Sequence, residues 1–283
     1  MKSVVITGVS TGIGWGATKV LIGKGFRVFG SVRKTADGER LKKEFGANFV
    51  PLLFDVTDEP AIKRAAEEVR AALKGEKLFG LVNNAGIAVS GPLLDLNVDD
   101  FRQQMEVNVT GPFMVTQAFA PLLGADTSLK GTPGRVVNIS SVGGKQAAPF
   151  IGPYAASKFA LEGYSESLRR ELMLFGIDVI IIGPGSVRTE IWNKAEEVDI
   201  TPFANSAFYP ALVKFRDYFL ASGKKGLPPE HLGRAIHKAL TTENPKVRYA
   251  VVPGRLMNWT IPQRLPKRFL DRTIGKNLGL LPK

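Results

Sequence analysis

The sequence predicts an α/β fold in which a doubly wound parallel sheet is covered by helices on both faces. Two observations point there. Short β-rich runs alternate with helix-period segments through most of the chain, and the first run passes directly into a glycine cluster followed by a helical pattern. The candidate strands are 3–7, 26–31, 48–54, 78–82, 134–139, 177–182 and 248–252. Between them the apolar residues recur at helical spacing. Ile62, Ala65, Ala66, Val69 and Leu73, for example, form one stripe after Asp58 and Pro60. Residues 188–226 break the alternation and carry Phe203, Phe208, Tyr209, Phe215, Tyr218 and Phe219, an insertion expected to cover a pocket. The expected organisation is one domain over 1–252, with that insertion as a substrate lid and a basic extension over 253–283 packed on the same domain.

The composition narrows the chemistry. A chain of 283 residues without cysteine has no disulfide, thiol nucleophile or cysteine-held zinc, and its two histidines, His231 and His237, sit in a helical pattern away from every motif. No metal site is expected. The opening MKSVVITG has too short an apolar run for a signal peptide, and the longest apolar run, 179–182, falls far short of a membrane span, which makes a cytoplasmic location the expectation. The formal net charge is +12, and residues 246–283 hold nine Lys/Arg against the single acid Asp271. A tail of that kind is a solvated basic end or a contact for an anionic membrane surface; it has no nucleic-acid-binding motif.

The cluster Thr7-Gly8-Val9-Ser10-Thr11-Gly12-Ile13-Gly14 sits where a Rossmann-type sheet receives the pyrophosphate of a dinucleotide. Missing side chains let the backbone approach, and a helix N-terminus supplies amide donors. No Gly-Lys-Ser/Thr ending follows, which excludes a nucleoside-triphosphate loop. The second strand ends in Ser31-Val32-Arg33-Lys34, with two cations where an NAD enzyme places an acid, and this composition suits the 2′-phosphate of NADP(H). After the third strand, Asp55 and Val56 stand where the adenine would lie, although Asp55 could equally cap the next helix. After the fourth, Asn84, Ala85 and Gly86 offer small and amide groups to the cofactor.

Tyr154 and Lys158 fall four residues apart in GPYAASKFALEG, hence on one face of a helix. An ordinary phenol, with a pKa near 10, is a poor acid or base at neutral pH, but a neighbouring ammonium and the positive nicotinamide of an oxidised cofactor would lower it. The fifth strand ends in Asn138-Ile139-Ser140-Ser141, which brings a hydroxyl to the same edge. Pro112 has no N–H to offer the carbonyl of Asn108, so the helix there is expected to kink and leave an acceptor open for water.

Thr-Gly-x-x-x-Gly-Ile-Gly, Asn-Asn-Ala-Gly, the strand-end serine and Tyr-x-x-x-Lys together resemble the short-chain dehydrogenase/reductase family, over residues 3 to about 252. The resemblance implies a single domain with a seven-stranded parallel sheet, hydride transfer with a nicotinamide, and a homodimer or homotetramer. It implies Tyr154 as acid or base, Ser141 orienting the carbonyl, Lys158 on the nicotinamide ribose and tuning Tyr154, and Asn108 in a proton relay. Pro184, Gly185, Val187 and Thr189 match the family's contacts near the nicotinamide. The end of the second strand and the Pro-x-Arg-Phe-Leu-Asp-Arg tail are similar to the steroid and retinoid dehydrogenase branch. The expected activity is NADP(H)-dependent interconversion of an apolar ketone or aldehyde with its alcohol. The competing class, a non-catalytic dinucleotide sensor, could dispense with Tyr154 or Lys158. A sugar-nucleotide epimerase would carry a larger C-terminal domain.

Overall fold

The structure is a computed structural model and describes residues 1–189 and 196–282. Seven parallel strands form one sheet in the order β3-β2-β1-β4-β5-β6-β7: β1 (Ser3–Ile6), β2 (Arg27–Val32), β3 (Phe49–Leu53), β4 (Gly80–Asn83), β5 (Arg135–Ile139), β6 (Asp178–Pro184) and β7 (Arg248–Val251). Each lies within two residues of its expected bounds. The helices are α1 (Gly12–Gly23), α2 (Thr35–Phe45), α3 (Glu59–Leu73), α4 (Val98–Met105), α5 (Gly111–Ala120), α6 (Gly152–Glu171), α7 (Tyr209–Lys224), α8 (Pro229–Thr241), α9 (Ile261–Arg264) and α10 (Lys267–Leu278).

Strand alternation divides the core between the two faces. Val4 and Ile6 of β1 point into a cluster with Leu21 of α1 and Leu232 and Ile236 of α8. Val5, one residue out of phase, points the other way, to Ile62 of α3 and Phe119 of α5. On the first face α1 and α8 meet at glycines. A Cβ on Gly233 would lie 2.6 Å from the Gly16 carbonyl oxygen, so only bare backbone permits the approach. Trp15 binds α1 to α2. Its indole N–H donates to Glu44 at 2.8 Å, its ring tilts against Phe45, and Lys19 lies over it.

The strand order reverses between β1 and β4, and the crevice at such a reversal is where an open α/β sheet receives its ligand. The glycine loop, Asn83 to Gly86 and Ser140 to Ser141 all follow carboxyl ends of strands there. A third apolar cluster forms beyond that edge, in which Phe150 and Ile151 pack with Ile200, Leu212 and Phe215, while Tyr154, Phe203, Phe208, Tyr209 and Phe219 line it. Of the six aromatics in the insertion, Tyr218 alone stands on the surface. Part of the expected lid, residues 190–195, lies outside the described residues. Leu278 and Leu280 of the C-terminal segment pack on the same cluster.

Candidate active site

The phosphate loop is built to leave backbone open. Gly8 and Gly12 sit at φ 68° and 62°, left-handed conformations that L side chains rarely adopt. A Cβ on Gly12 would come within 3.2 Å of the Thr189 side chain. Thr11, the N-cap of α1, makes no side-chain hydrogen bond to the first turn, so the amides of that turn face the crevice without an internal partner. This cradle fits a dinucleotide pyrophosphate. Ser31 and Arg40 position it, the first accepting from the Gly8 N–H at 3.0 Å and the second donating to the Ser10 carbonyl at 2.7 Å. Ile13 packs beneath the loop into the core.

At the end of β2, Arg33 and Lys34 are exposed, and Arg33 comes 3.7 Å from Asp55, a distance at which two open charges hold each other weakly. Asp55 does not cap the following helix. It accepts from the Thr57 N–H and hydroxyl, and Asp58 is the cap, taking the Ala61 N–H at 2.9 Å. Val56 is buried, with its side chain and its carbonyl oxygen both against Gly111. Asn84 spends its amide on the phosphate loop, donating to the Thr7 and Gly8 carbonyls, and the Thr7 hydroxyl receives the Asn84 and Ala85 N–H groups. Asn84 is therefore a strut of the cradle. Gly86 lies beside Asn108 and Lys158, where a Cβ would stand 3.1 Å from the Asn108 carbonyl oxygen of the side chain. Pro184 ends β6, the Gly185 N–H continues the pairing to Val251, and Val187 bridges to Leu227.

Tyr154 and Lys158 share a face of α6, and Ser141 meets Tyr154 across Gly143, whose missing Cβ would stand 3.3 Å from both the Ser141 hydroxyl and the tyrosine ring. The Ser141 Oγ accepts from the Gly143 N–H at 3.0 Å. The Lys158 ammonium donates to the Ile139 carbonyl at 2.9 Å and lies 5.7 Å from the ring centre of Tyr154. The phenol pKa of the protein alone is raised, not lowered. Burial disfavours the phenolate and outweighs the opposing hydrogen bond with Ser141. Burial also brings the Lys158 pKa down to about 8, against the pull of the Glu162 carboxylate.

Between α4 and α5 the helix widens into a π-turn over Glu106–Thr110, where the Gly111 N–H reaches back to Glu106 because Pro112 offers none to Asn108. The Asn108 side chain is fully engaged: it accepts from the Ile87 N–H and donates to the Ile87 carbonyl and the Ser157 hydroxyl. Any relay through Asn108 is left to its main-chain carbonyl.

Residues 2–199 match the family model described as short chain dehydrogenase. The chain belongs to the short-chain dehydrogenase/reductase family. It is similar to an NADPH-dependent 3-dehydrocapnine reductase of Ornithobacterium rhinotracheale, 38% identical with 99% of each chain covered. It also resembles human retinol dehydrogenase 5, at 35% identity over 99% of this chain and 89% of that one. A solved short-chain dehydrogenase from Streptomyces avermitilis superposes with a TM-score of 0.76 at 26% identity, over 98% of this chain and 97% of its own.

As an oxidoreductase of this family, the protein surrounds its tyrosine with groups the motifs do not name. Ser157 joins Asn108 to the Tyr154 carbonyl. Phe150, at φ 64°, turns the chain into α6 while its carbonyl takes the Gly91 N–H and the Ser90 hydroxyl. Glu162 continues the Tyr154, Lys158 series at four-residue spacing, a signal present in the sequence. Its partner Arg248 starts β7, and nothing local marks that residue.

Proposed function

We propose that the protein is an NADP(H)-dependent reductase or dehydrogenase for an apolar ketone or aldehyde and its alcohol, of steroid-, retinoid- or lipid-like character, with Tyr154 as acid or base. One observation carries this reading: Tyr154 belongs both to the face of α6 that meets Ser141 and Lys158 and to the apolar cluster of Phe150, Phe203, Phe208 and Phe215. A carbonyl reaching the tyrosine thus has its hydrophobic remainder beside an aromatic wall. The exposed cations Arg33 and Lys34 support NADP(H), as does the cofactor in the bacterial relative's name.

NADP(H) in the crevice supplies the hydride. The Ser141 and Tyr154 hydroxyls lie within hydrogen-bonding reach of each other, so both can hold one carbonyl oxygen. In reduction Tyr154 gives its proton to that oxygen, and the burial that keeps the phenol protonated suits this direction. Lys158 holds the nicotinamide ribose and favours the phenolate that remains.

The tail and the helix surfaces support two associations. Exposed Leu256, Met257 and Phe269 stand among Arg255, Arg264, Lys267 and Arg268, a mixture suited to an anionic membrane surface. No helix among the described residues is long and apolar enough to cross a membrane. Exposed Phe113 of α5 and Phe159 of α6 offer an apolar face to a second copy.

The test is absorbance of NADPH and, in parallel, NADH, with medium- and long-chain ketones, steroid ketones and retinal. Oxidation of NADPH by the apolar carbonyls, and weaker use of NADH, is expected. No turnover with any of them, or equal use of both cofactors, would count against the reading.

A further inference from the structure

Behind Ser141 and Lys158 lies a buried ion pair that none of the roles above employs. Glu162 is 4% exposed and sits one helical turn beyond Lys158. Its carboxylate takes the Arg248 guanidinium on two nitrogens: Nε lies 3.0 Å from both oxygens, and Nη2 lies 2.9 Å from Oε1. The same Nη2 donates onward to the main-chain carbonyl of Ser141 at 3.2 Å. Lys145, just after the Ser141 turn, approaches the other side of the carboxylate at 3.4 Å. The guanidinium is packed as well as paired. Its far face lies 4.6 Å over the Trp259 ring, and a Cβ on Gly183 would strike it. A Cβ on Gly144 would likewise press on Glu162 at 3.1 Å.

We infer that Glu162 and Arg248 form a charged brace that positions the Ser141 turn and the Lys158 ammonium for proton transfer at Tyr154. The inference rests on the proposed roles of those three residues. Two bonds hold the end of β5 from behind, Lys158 on the Ile139 carbonyl and Arg248 on that of Ser141, and so place the backbone that carries the Ser141 hydroxyl beside Tyr154. An ion pair this deep is a poor source of stability, since desolvating both charges offsets most of their attraction. It is well suited to rigid placement, because the planar fork of Arg248 can reach Glu162 and Ser141 together only in one geometry.

The brace also sets the charge around Lys158. The charged and titratable groups near it are Tyr154 and Glu162 on its own helix, Arg248 from β7 and Lys145 from the turn after β5; the Asn108 amide, from the π-turn, is neutral. Among the described residues, Glu162 is the one anion here beside three cations and the phenol. It favours the Lys158 ammonium against burial. Arg248 and Glu162 are positioning residues and touch neither substrate nor cofactor in this role.

The first measurement needs no catalysis. Because the folded-state pKa of Lys158 lies near 8, below the ordinary lysine value, the unfolded chain binds more protons above that pH, and this group adds stability as pH rises from about 8 towards 10.5. Urea denaturation across this range, taken as the difference between each protein and its Lys158→Met counterpart, reads that pKa. In Glu162→Gln the rise should begin at lower pH; an unmoved rise overturns the electrostatic half of the inference. The second measurement uses whichever ketone the wild type reduces. Glu162→Gln should lose about tenfold or more in kcat, with KM and NADPH affinity within about twofold, and the alkaline limb of kcat should move to lower pH. Arg248→Lys keeps the charge but loses the fork, so kcat should fall while the limb stays. A role confined to stability would lower the denaturation midpoint and leave kcat and the limb unmoved, and that result overturns the inference. Should Glu162→Gln not fold, Glu162→Asp keeps the charge and shortens the reach, and wild-type kcat in that variant overturns it equally. If the wild type itself reduces none of the carbonyls, the proposed activity fails, while the urea measurement still decides whether Glu162 holds Lys158.

Discussion

The Asn84 side chain donates to the Gly8 carbonyl at 3.0 Å and so ties the end of β4 to the phosphate loop beyond β1. The same amide holds the Thr7 carbonyl, and no other side chain makes these two bonds among the described residues. Asn84→Ala should destabilise the fold by about 1–3 kcal/mol, the usual cost of leaving buried acceptors unpaired. NADPH affinity should fall with it, because the loop loses its strut. Urea unfolding with a fluorescence titration of NADPH checks both. Unchanged affinity would mean that the loop keeps its shape without Asn84.

Cofactor preference should follow the end of β2. Arg33 is held by little more than a 3.7 Å approach to Asp55, and both groups are open to solvent. Arg33→Asp places an acid where a ribose hydroxyl would be received and removes a cation from the 2′-phosphate. The ratio of kcat/KM for NADPH over NADH should drop by at least tenfold. A ratio that stays put would move the phosphate elsewhere, and Arg40, already on the Ser10 carbonyl, is the next residue to replace.

What the sequence made legible was whatever is encoded locally. The seven strands stand out because each is a short β-rich run with turn residues around it, and Tyr154 and Lys158 because helical spacing puts them on one face. Asn84 was expected to offer its amide to the cofactor, and its bonds to the phosphate loop were not legible, since Thr7 and Gly8 lie 77 and 76 residues away. For a related reason, spacing does not reveal that the protein alone raises the Tyr154 pKa. Spacing reveals the nearby ammonium, while the cluster that helps bury the phenol includes Phe203, Phe208 and Phe215, far along the chain. Arg248 was missed entirely: its importance lies in the Glu162 carboxylate 86 residues earlier.

Helix packing on the opposite face gives a prediction independent of chemistry. Gly233→Ala puts a methyl 2.6 Å from the Gly16 carbonyl oxygen, and backbone on both sides prevents an easy shift. Stability should fall by about 1–3 kcal/mol, as in other overpacked interfaces, with kcat per folded molecule unchanged. A stabilised or neutral variant would show that α1 and α8 can separate more freely than their packing implies.

The tail prediction turns on salt. If Leu256, Met257 and Phe269 enter a membrane surface while the surrounding Arg and Lys meet anionic headgroups, the protein should float with phosphatidylserine vesicles at low ionic strength. High salt should weaken this, and Met257→Asp should weaken it at every salt concentration. Equal flotation with neutral vesicles would remove the electrostatic part, and absence of flotation would leave the tail as a solvated surface.

Tyr154 carries the final prediction. Tyr154→Phe keeps the ring in its aromatic cluster and removes only the hydroxyl, so the fold and the NADPH affinity should stay near wild type. Turnover should fall by about 10²- to 10⁴-fold, the usual worth of a positioned acid or base. Lys158→Met should damage turnover and cofactor affinity together, since one ammonium is assigned to both. The pH dependence has a definite sign. Without ligand, burial holds the phenol protonated above its ordinary range, so the free protein should show its phenolate only at high pH. With NADP+ bound, the added positive charge opposes that burial, and alcohol oxidation should rise with pH through an apparent pKa below the one seen in the free protein. Reduction should decline over the same interval, as the proton it consumes is lost. A Tyr154→Phe enzyme that retains more than about a tenth of wild-type turnover would falsify proton transfer by this residue. Coincident titrations with and without NADP+ would instead leave Tyr154 as the acid and remove the cofactor's part in tuning it.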